Sequence, residues 1–230
     1  MTKTVHALFL ILLVSVSVAK AQKKPQQKKF IKEGIVTYSA TYDIPADQPQ
    51  DYNNLPSEIT IYFRGDSSAA ILSQDGSIIK GISVFKSNYR SMIVEIPSQS
   101  KKIFVELSPA EVDSEKMGAP TFTVKKDKET DEINGYKCTK TIITDVKTGE
   151  SYDLWLTNDV DMEPNSVSRL VSNFGGVPIR FVTFNKGIKI SAELEEIEEL
   201  RVPKGFFSPT SEYEKMTYED LKKITAALKQ

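Results

Sequence analysis

The chain has 230 residues, of which 40% are hydrophobic and 27% are charged. This composition is typical of a folded globular protein, and it argues against a disordered chain or one that crosses a membrane many times. Lys and Arg number 30 against 31 Asp and Glu. Such a balance provides no broad basic surface, so we expect no nucleic-acid partner.

The first segment predicts export. Lys3 precedes an apolar run over residues 7–18, which ends in Ala19-Lys20-Ala21. A secretory signal peptide typically has a basic start, a short apolar core and small residues before the cleavage site. The alternative interpretation is a buried N-terminal helix. We predict that residues 1–21 are removed and that the mature protein is periplasmic or secreted, without a transmembrane segment. No Cys follows the run closely enough to carry a lipid anchor.

Residues 22–30 predict a basic flexible arm, because Lys, Gln and Pro dominate this stretch. Electrostatic attachment to an anionic membrane is one interpretation of the arm. A plain linker is the other, and it is favoured because charges without an apolar face anchor weakly. Residues 31–230 are predicted to form a single β-rich domain.

Alternation of apolar and polar residues predicts strands from Ile31 onward. In residues 36–42 every second residue is Val, Tyr or Ala, which is the period of a strand. Similar runs, separated by Gly, Asn and Pro turns, lie at 58–63, 69–72, 78–85, 91–96, 102–107, 121–126, 137–144, 151–156, 179–184 and 188–194. Residues 193–200 fit either a helix or a strand that continues past a bulge near Glu195-Glu196, and we predict the strand.

Three segments predict short helices, at 109–117, 165–173 and 217–229. Thr217 with Asp220 resembles a capping box, and Leu221, Ile224 and Leu228 form an apolar stripe. Because short strands are many and long helices are absent, we predict a mainly β (α+β) fold with an antiparallel sheet or barrel, not a doubly wound parallel sheet.

Most catalytic chemistries are excluded by composition. His6 is the only His and lies in the predicted signal peptide. A mature chain without imidazole has no Ser-His-Asp or Cys-His catalysis and no His-containing zinc site. No phosphate-binding or nucleophile-elbow motif occurs, and the sole Cys, Cys138, lies in a strand pattern that favours a buried side chain. We therefore predict a non-enzymatic protein with no catalytic residues, no cofactor and no metal site.

Three segments together carry a resemblance: EINGYKC at 132–138, YDLWLT at 152–157 and YEKMTYEDL at 213–221. In this order they resemble a family of exported bacterial proteins of unknown function that is grouped by shape with the lipoprotein-carrier (LolA-like) fold. The resemblance covers roughly residues 31–223. It implies a curved antiparallel sheet, an open half-barrel, with short helices covering its concave face and a C-terminal helix. Relatives of that shape hold acyl chains or other hydrophobic ligands.

An open half-barrel leaves one apolar face to be covered by helices, by a ligand or by a partner. We therefore expect either a carrier of a hydrophobic lipid or acyl ligand, or a ligand-free envelope scaffold that binds a protein partner. A large apolar cavity would favour the carrier, and a face filled by its own side chains would favour the scaffold. For Trp155, core packing is the alternative to a ligand platform. The predicted ligand-lining residues are Ile59, Ile61, Phe63, Leu154, Trp155, Leu156, Phe181 and Ile190.

Overall fold

The computed structural model describes residues 29–44, 55–74, 76–116, 120–161, 174–185 and 188–227. The predicted signal peptide, most of the predicted basic arm and the predicted helix at 165–173 lie outside these residues. The last two residues of the predicted arm form a short strand, in which Phe30 pairs with Asp161.

Strands dominate the described residues, and the predicted runs are found as strands. The strands are β1 (Lys29–Phe30), β2 (Glu33–Asp43), β3 (Glu58–Arg64), β4 (Ser67–Gln74), β5 (Ser77–Val84), β6 (Tyr89–Ile96), β7 (Lys101–Glu106), β8 (Phe122–Ile133), β9 (Tyr136–Asp145), β10 (Ser151–Thr157), β11 (Val160–Asp161), β12 (Val177–Asn185), β13 (Ile188–Glu199) and β14 (Glu214–Met216). The helices are α1 (Pro109–Lys116) and α2 (Tyr218–Ala227).

Twelve of the strands form one open sheet in the order β14-β7-β6-β5-β4-β3-β2-β13-β12-β10-β9-β8, while β1 and β11 form a separate parallel pair. The twelve strands pair antiparallel except that β14 runs parallel to β7. Within the described part of the chain the outer strands β14 and β8 do not pair with each other. The predicted fold class, a mainly β protein with an open antiparallel sheet and few short helices, is therefore confirmed.

The sheet consists of two antiparallel meanders. We call strands β2–β7 the N-terminal half. The C-terminal half consists of β8, β9, β10, β12 and β13. The two halves join where β13 pairs with β2. The predicted bulge in β13 is confirmed, because the register shifts between Leu194 and Glu196. The extra residue resets the alternation, and so Leu194 and Ile197 both face apolar neighbours although three positions separate them.

Strand β8 is longer than the predicted run at 121–126, which stops where the residues become almost all charged. The register of β8 shifts between Lys126 and Thr130, and the Asp127 carboxylate accepts the backbone N–H groups of Lys128 (2.6 Å) and Glu129 (3.2 Å). An edge strand needs no apolar alternation, and charges and bulges are usual there. The strands β1, β11 and β14 are too short to produce a periodic pattern.

Both helices pack on the same face of the N-terminal half, which we call the inner face. Val112 of α1 and Leu221 of α2 are buried there against residues of β6 and β7, among them Val94, Ile103 and Val105. The predicted cap of α2 is present, because Thr217 Oγ1 accepts the Asp220 N–H at 3.1 Å. Helix α2 ends at Ala227 where the sequence predicts 229; residues 228–230 lie outside the described chain.

The opposite, outer face of the N-terminal half is covered by residues 201–213, which we call the strap. Its side chains Phe206, Phe207 and Tyr213 pack against one cluster of buried residues. That cluster consists of Ala69, Ile82, Ile93 and Phe104. Beyond the strap the chain adds β14 to the edge of the sheet and then places α2 on the inner face. One C-terminal segment therefore covers both faces of this half.

Candidate functional site

The structure places the predicted ligand-lining residues mainly in the protein core. Seven of the eight belong to one apolar cluster formed by the C-terminal half with β2 and β3, whereas Ile190 is buried outside it. We call this the large cluster. Phe63 and Leu154 are 0% exposed, and the Phe181 ring meets the Tyr38 ring edge-on at 5.3 Å. Ile59 is only partly buried. These side chains therefore form a packed interior.

Trp155 does not share a sheet face with its neighbours in β10. Successive residues of a strand point to opposite faces, so Trp155 faces away from Leu154 and Leu156. The Lys140 ammonium lies 5.8 Å from the centre of the Trp155 ring. Lys140 also pairs with Asp153 at 2.7 Å. Trp155 is also part of the large cluster, and only 8% of the residue is exposed, which agrees with core packing.

The inner face has a gap over β4 and β5. Ala70 of β4 lies opposite Gly81 of β5, and Gly81 lies opposite Met92 of β6. These residues are only half-buried. A Cβ atom built on Gly81 would have no heavy atom of the described residues within 4 Å, apart from its chain neighbours. Within the part of the chain that the structure describes, no residue therefore covers the sheet at this point.

The gap lies at the boundary between two packed regions. Ala70 packs against the large cluster, while Ile79 and Met92 pack against the cluster of β6 and β7 residues that α1 and α2 cover. Because Ala and Gly have almost no side chain, neither region extends across the space between them. The gap is centred on Gly81, between Ala70 of β4 and Met92 of β6, whose strands lie about 10 Å apart, two strand spacings. The residues that line this inner-face gap are Ile59, Ala70, Leu72, Ile79, Gly81 and Met92.

One border of the gap is polar. Ser68 lies opposite Ser83, and Ser83 lies opposite Arg90. Each of these residues lies two positions from Ala70, Gly81 or Met92 in the same strand. Their side chains therefore point to the same, inner face of the sheet. The Nε atom of Arg90 is shielded from solvent. The gap therefore has an apolar floor and a border with two hydroxyl groups and a guanidinium.

Most residues of the gap are small or only half-buried, and the residues predicted from the sequence are large apolar side chains, which the fold buries in its core. Of the eight predicted residues, Ile59 alone lines the gap. The available signal was Gly81, a glycine inside an otherwise strand-like run. Glycine in the interior of a strand marks a bend or a place where something approaches the backbone closely.

Two other depressions in the described surface are lined mainly by polar and charged residues. One, of about 590 Å³, is lined by Glu95, Pro97, Ser100, Lys101, Lys102, Glu212 and Glu214. Beside it the Tyr213 hydroxyl donates to Glu95 at 2.5 Å, and this bond raises the pKa of Tyr213 to about 12. The other, of about 470 Å³, is lined by Thr130, Asp131, Glu132, Lys137, Cys138 and Thr139. Neither has the apolar lining that a hydrophobic ligand needs.

Reactive groups in the described residues are few. Burial raises the pKa of the Cys138 thiol, which keeps it protonated and a poor nucleophile. The described residues contain no group of three His, Cys, Asp or Glu side chains suited to a metal ion. None of the helices in the described ranges has the length and apolar character to cross a membrane.

No family model matches the chain, and no curated protein matches it. Among solved structures, PNGF-II in a C2 crystal form is 15% identical with a TM-score of 0.48, covering 84% of this chain and 32% of that one. A DUF1329 family protein from Desulfovibrio piger is 8% identical with a TM-score of 0.36, covering 79% of this chain and 92% of that one.

The chain therefore spans about a third of the length of PNGF-II. Similarities this low carry no argument about function. The resemblance to the lipoprotein-carrier fold stays a prediction.

Proposed function

We propose that the protein is an exported, non-enzymatic envelope protein that binds a hydrophobic ligand, a lipid or acyl chain, in the inner-face gap. The observation that supports this proposal is the open space over Gly81. Half-buried apolar side chains, among them Ile79 and Met92, lie on the same face of the sheet. Exposed apolar surface on a concave or cleft-like face is the usual feature of such sites.

The expected affinity is moderate. Each methylene that leaves water contributes about 0.8 kcal/mol. Ten methylenes would contribute roughly 8 kcal/mol before the entropy of binding is subtracted, which corresponds to about micromolar affinity at best. Binding of this strength suits a carrier that must release its ligand again.

A ligand-free scaffold with an envelope protein partner is the second candidate. It is supported by the packing of the large cluster, since seven of the eight predicted lining residues lie in it. A sheet face filled by its own side chains has no room for a ligand there. The two candidates therefore make different predictions for the gap over β4 and β5, because the carrier binds a ligand there and the scaffold does not.

The test fills the gap without disturbing the fold. In Gly81→Phe the new side chain enters open space, and aromatic residues are well tolerated in strands. The matched control is Ile78→Phe, because Ile78 lies in the same strand, points to the outer face and is 39% exposed. Binding is measured with the neutral fluorophore N-phenyl-1-naphthylamine and by its displacement with dodecanol.

We expect saturable binding in the wild type and in Ile78→Phe, and at least about tenfold weaker binding in Gly81→Phe with an unchanged melting curve. Equal binding by both variants would place the ligand elsewhere. A folded wild type that binds neither probe would favour the scaffold. Native mass spectrometry of protein purified from its own envelope, followed by lipid extraction, would then identify a natural ligand.

A further inference from the structure

Building on the proposed function, we infer that the inner-face gap accepts one hydrocarbon chain, so that the ligand is a single-chain amphiphile. Fatty acids and lysophospholipids belong to this class, whereas phospholipids with two acyl chains do not. This inference narrows the class of ligand, because a hydrophobic site alone would accept lipids with one chain or with several.

The width of the gap follows from its two walls. Ala70 of β4 packs against the large cluster, which closes the gap on that side. On the other side, Met92 of β6 packs against the cluster that α1 and α2 cover. Gly81 of β5 lies between these two residues. The walls therefore stand on strands that are about 10 Å apart, two strand spacings.

This width suits one hydrocarbon chain. Apolar atoms in contact lie about 4.0–4.5 Å apart, so a chain that touches both walls needs about 8–9 Å between them. Two chains side by side add one more contact distance and need about 12–13.5 Å. Between the described residues, the distance from wall to wall therefore admits one chain and leaves no room for a second.

The chain is expected to lie along β5. The inner-face neighbours of Gly81 in this strand are Ile79 and Ser83, each two positions away, which corresponds to about 6.7 Å. The floor between them is therefore about 13 Å long in the strand direction. A Cβ atom on Gly81 would meet no heavy atom of the described residues within 4 Å, apart from its chain neighbours. A ligand can therefore approach the backbone closely at this point.

A site for one chain makes affinity depend on the length of that chain and not on the total number of chain carbons, because only one chain leaves water. Dodecanoyl-lysophosphatidylcholine and dihexanoylphosphatidylcholine have the same head group and the same number of acyl carbons. The first carries these carbons in one chain and the second divides them between two. Comparing the two lipids therefore tests chain number while the head group and the total apolar content stay fixed.

The experiment measures displacement of N-phenyl-1-naphthylamine by these two lipids and by dodecanoate, each below its micelle concentration. For the wild type we expect the lysolipid to bind more than about tenfold more tightly than dihexanoylphosphatidylcholine. Dodecanoate presents the same chain without the phosphocholine head group. The tighter of the two single-chain ligands therefore shows whether the site favours a fatty acid or a lysophospholipid.

The variant Met92→Ala widens the gap by removing the wall on β6. We expect it to bind dihexanoylphosphatidylcholine at least about threefold more tightly than the wild type does, because a second chain can then enter. The matched control is Met216→Ala. Met216 is also partly buried against the helix-covered cluster, but it lies in β14 at the edge of the sheet. This control should leave the preference for one chain unchanged.

The outcomes separate this inference from the proposed function. A preference of tenfold or less in the wild type overturns the one-chain inference, while displacement by either lipid keeps the hydrophobic site. This ratio decides the question even if Met92→Ala does not fold. If Met92→Ala and Met216→Ala change the ratio equally, the assignment of the wall to Met92 is wrong. If none of the three ligands displaces the probe from the wild type, the proposed function itself fails.

Discussion

The two halves of the sheet bury their apolar side chains in different ways. The N-terminal half is a layer between two covers, with α1 and α2 on its inner face and the strap on its outer face. The C-terminal half builds the large cluster mainly from its own strands together with β2 and β3. Outside this cluster it carries ion pairs, such as the bidentate pair in which Arg180 donates to Glu193 at 2.9 and 3.1 Å.

This difference between the two halves explains the position of the inner-face gap. Two covers of the N-terminal half, α2 and the strap, belong to the C-terminal part of the chain, whereas α1 directly follows β7. The large cluster extends only as far as Ile59 and Ala70. Between them, β4 and β5 present Ala70 and Gly81, which are too small to close the space. The site is therefore a property of the boundary between the halves. The following four predictions test whether the halves are held together as described.

The largest effect is expected in the large cluster. Phe181→Ala removes a ring that is 5% exposed and contacts Tyr38, so it should lower the free energy of unfolding by about 3–5 kcal/mol. Urea denaturation measures the change. Val146→Ala is the control, because Val146 is 62% exposed and should change stability by less than about 0.5 kcal/mol. A small effect of Phe181→Ala would mean that this cluster is loosely packed.

The next effect concerns the inner cover of the N-terminal half. Leu221 is 4% exposed and packs with Val94 and Val105, so Leu221→Ala should lower stability by about 2–4 kcal/mol. Hydrogen exchange should show loss of protection concentrated in β6 and β7, with β10 less affected. Equal loss of protection in both halves would show that they unfold as one unit and would contradict the comparison.

A smaller effect is expected for the outer cover. Phe206 of the strap is half-buried, with its ring centre 4.5 Å from that of Tyr62 and the Lys80 ammonium 4.0 Å above it. Phe206→Ala should reduce the free energy of unfolding by about 1–2 kcal/mol. It should also speed proteolysis within residues 201–213, which is followed by mass spectrometry. Phe206→Leu, which keeps apolar contact, should recover part of the loss.

The smallest effect depends on pH. The hydrogen bond to Glu95 raises the pKa of Tyr213 to about 12, against about 10 in an unfolded chain. The folded state therefore holds this proton more tightly, and the contribution is complete below pH 10 and declines as the pH rises toward 12. The stability difference between wild type and Tyr213→Phe should shrink over that range.

Tyr152 is a useful comparison for this titration, because its pKa is also raised to about 12, in this case mainly by a hydrogen bond to Glu150. That bond joins residues two positions apart, whereas Tyr213 and Glu95 are 118 positions apart. Tyr152→Phe should therefore leave the strap in place, and Tyr213→Phe should increase its proteolysis. Equal proteolysis of the two variants would show that the bond to Glu95 does not hold the strap.

The local elements could be predicted from the pattern of residues along the chain. Alternation predicted β2 and β3, and the reset of alternation predicted a bulge near Glu195-Glu196, which the structure has between Leu194 and Glu196. The spacing of Thr217 and Asp220 predicted the start of α2. These features are readable because a strand or helix buries one face, and the pattern of apolar residues records that face. The antiparallel fold class followed from the many short runs and the absence of long helices between them.

The tertiary structure decided which apolar residues are covered and which are left open. Ile61 and Ala70 face the same side of the sheet in paired strands, yet Ile61 is 6% exposed and buried in the large cluster, whereas Ala70 borders the gap. Alternation alone does not distinguish them. Coverage depends on segments that are distant in sequence, such as the strap, whose Tyr213 meets Glu95 across 118 positions. The position of the gap is set by where these covers end.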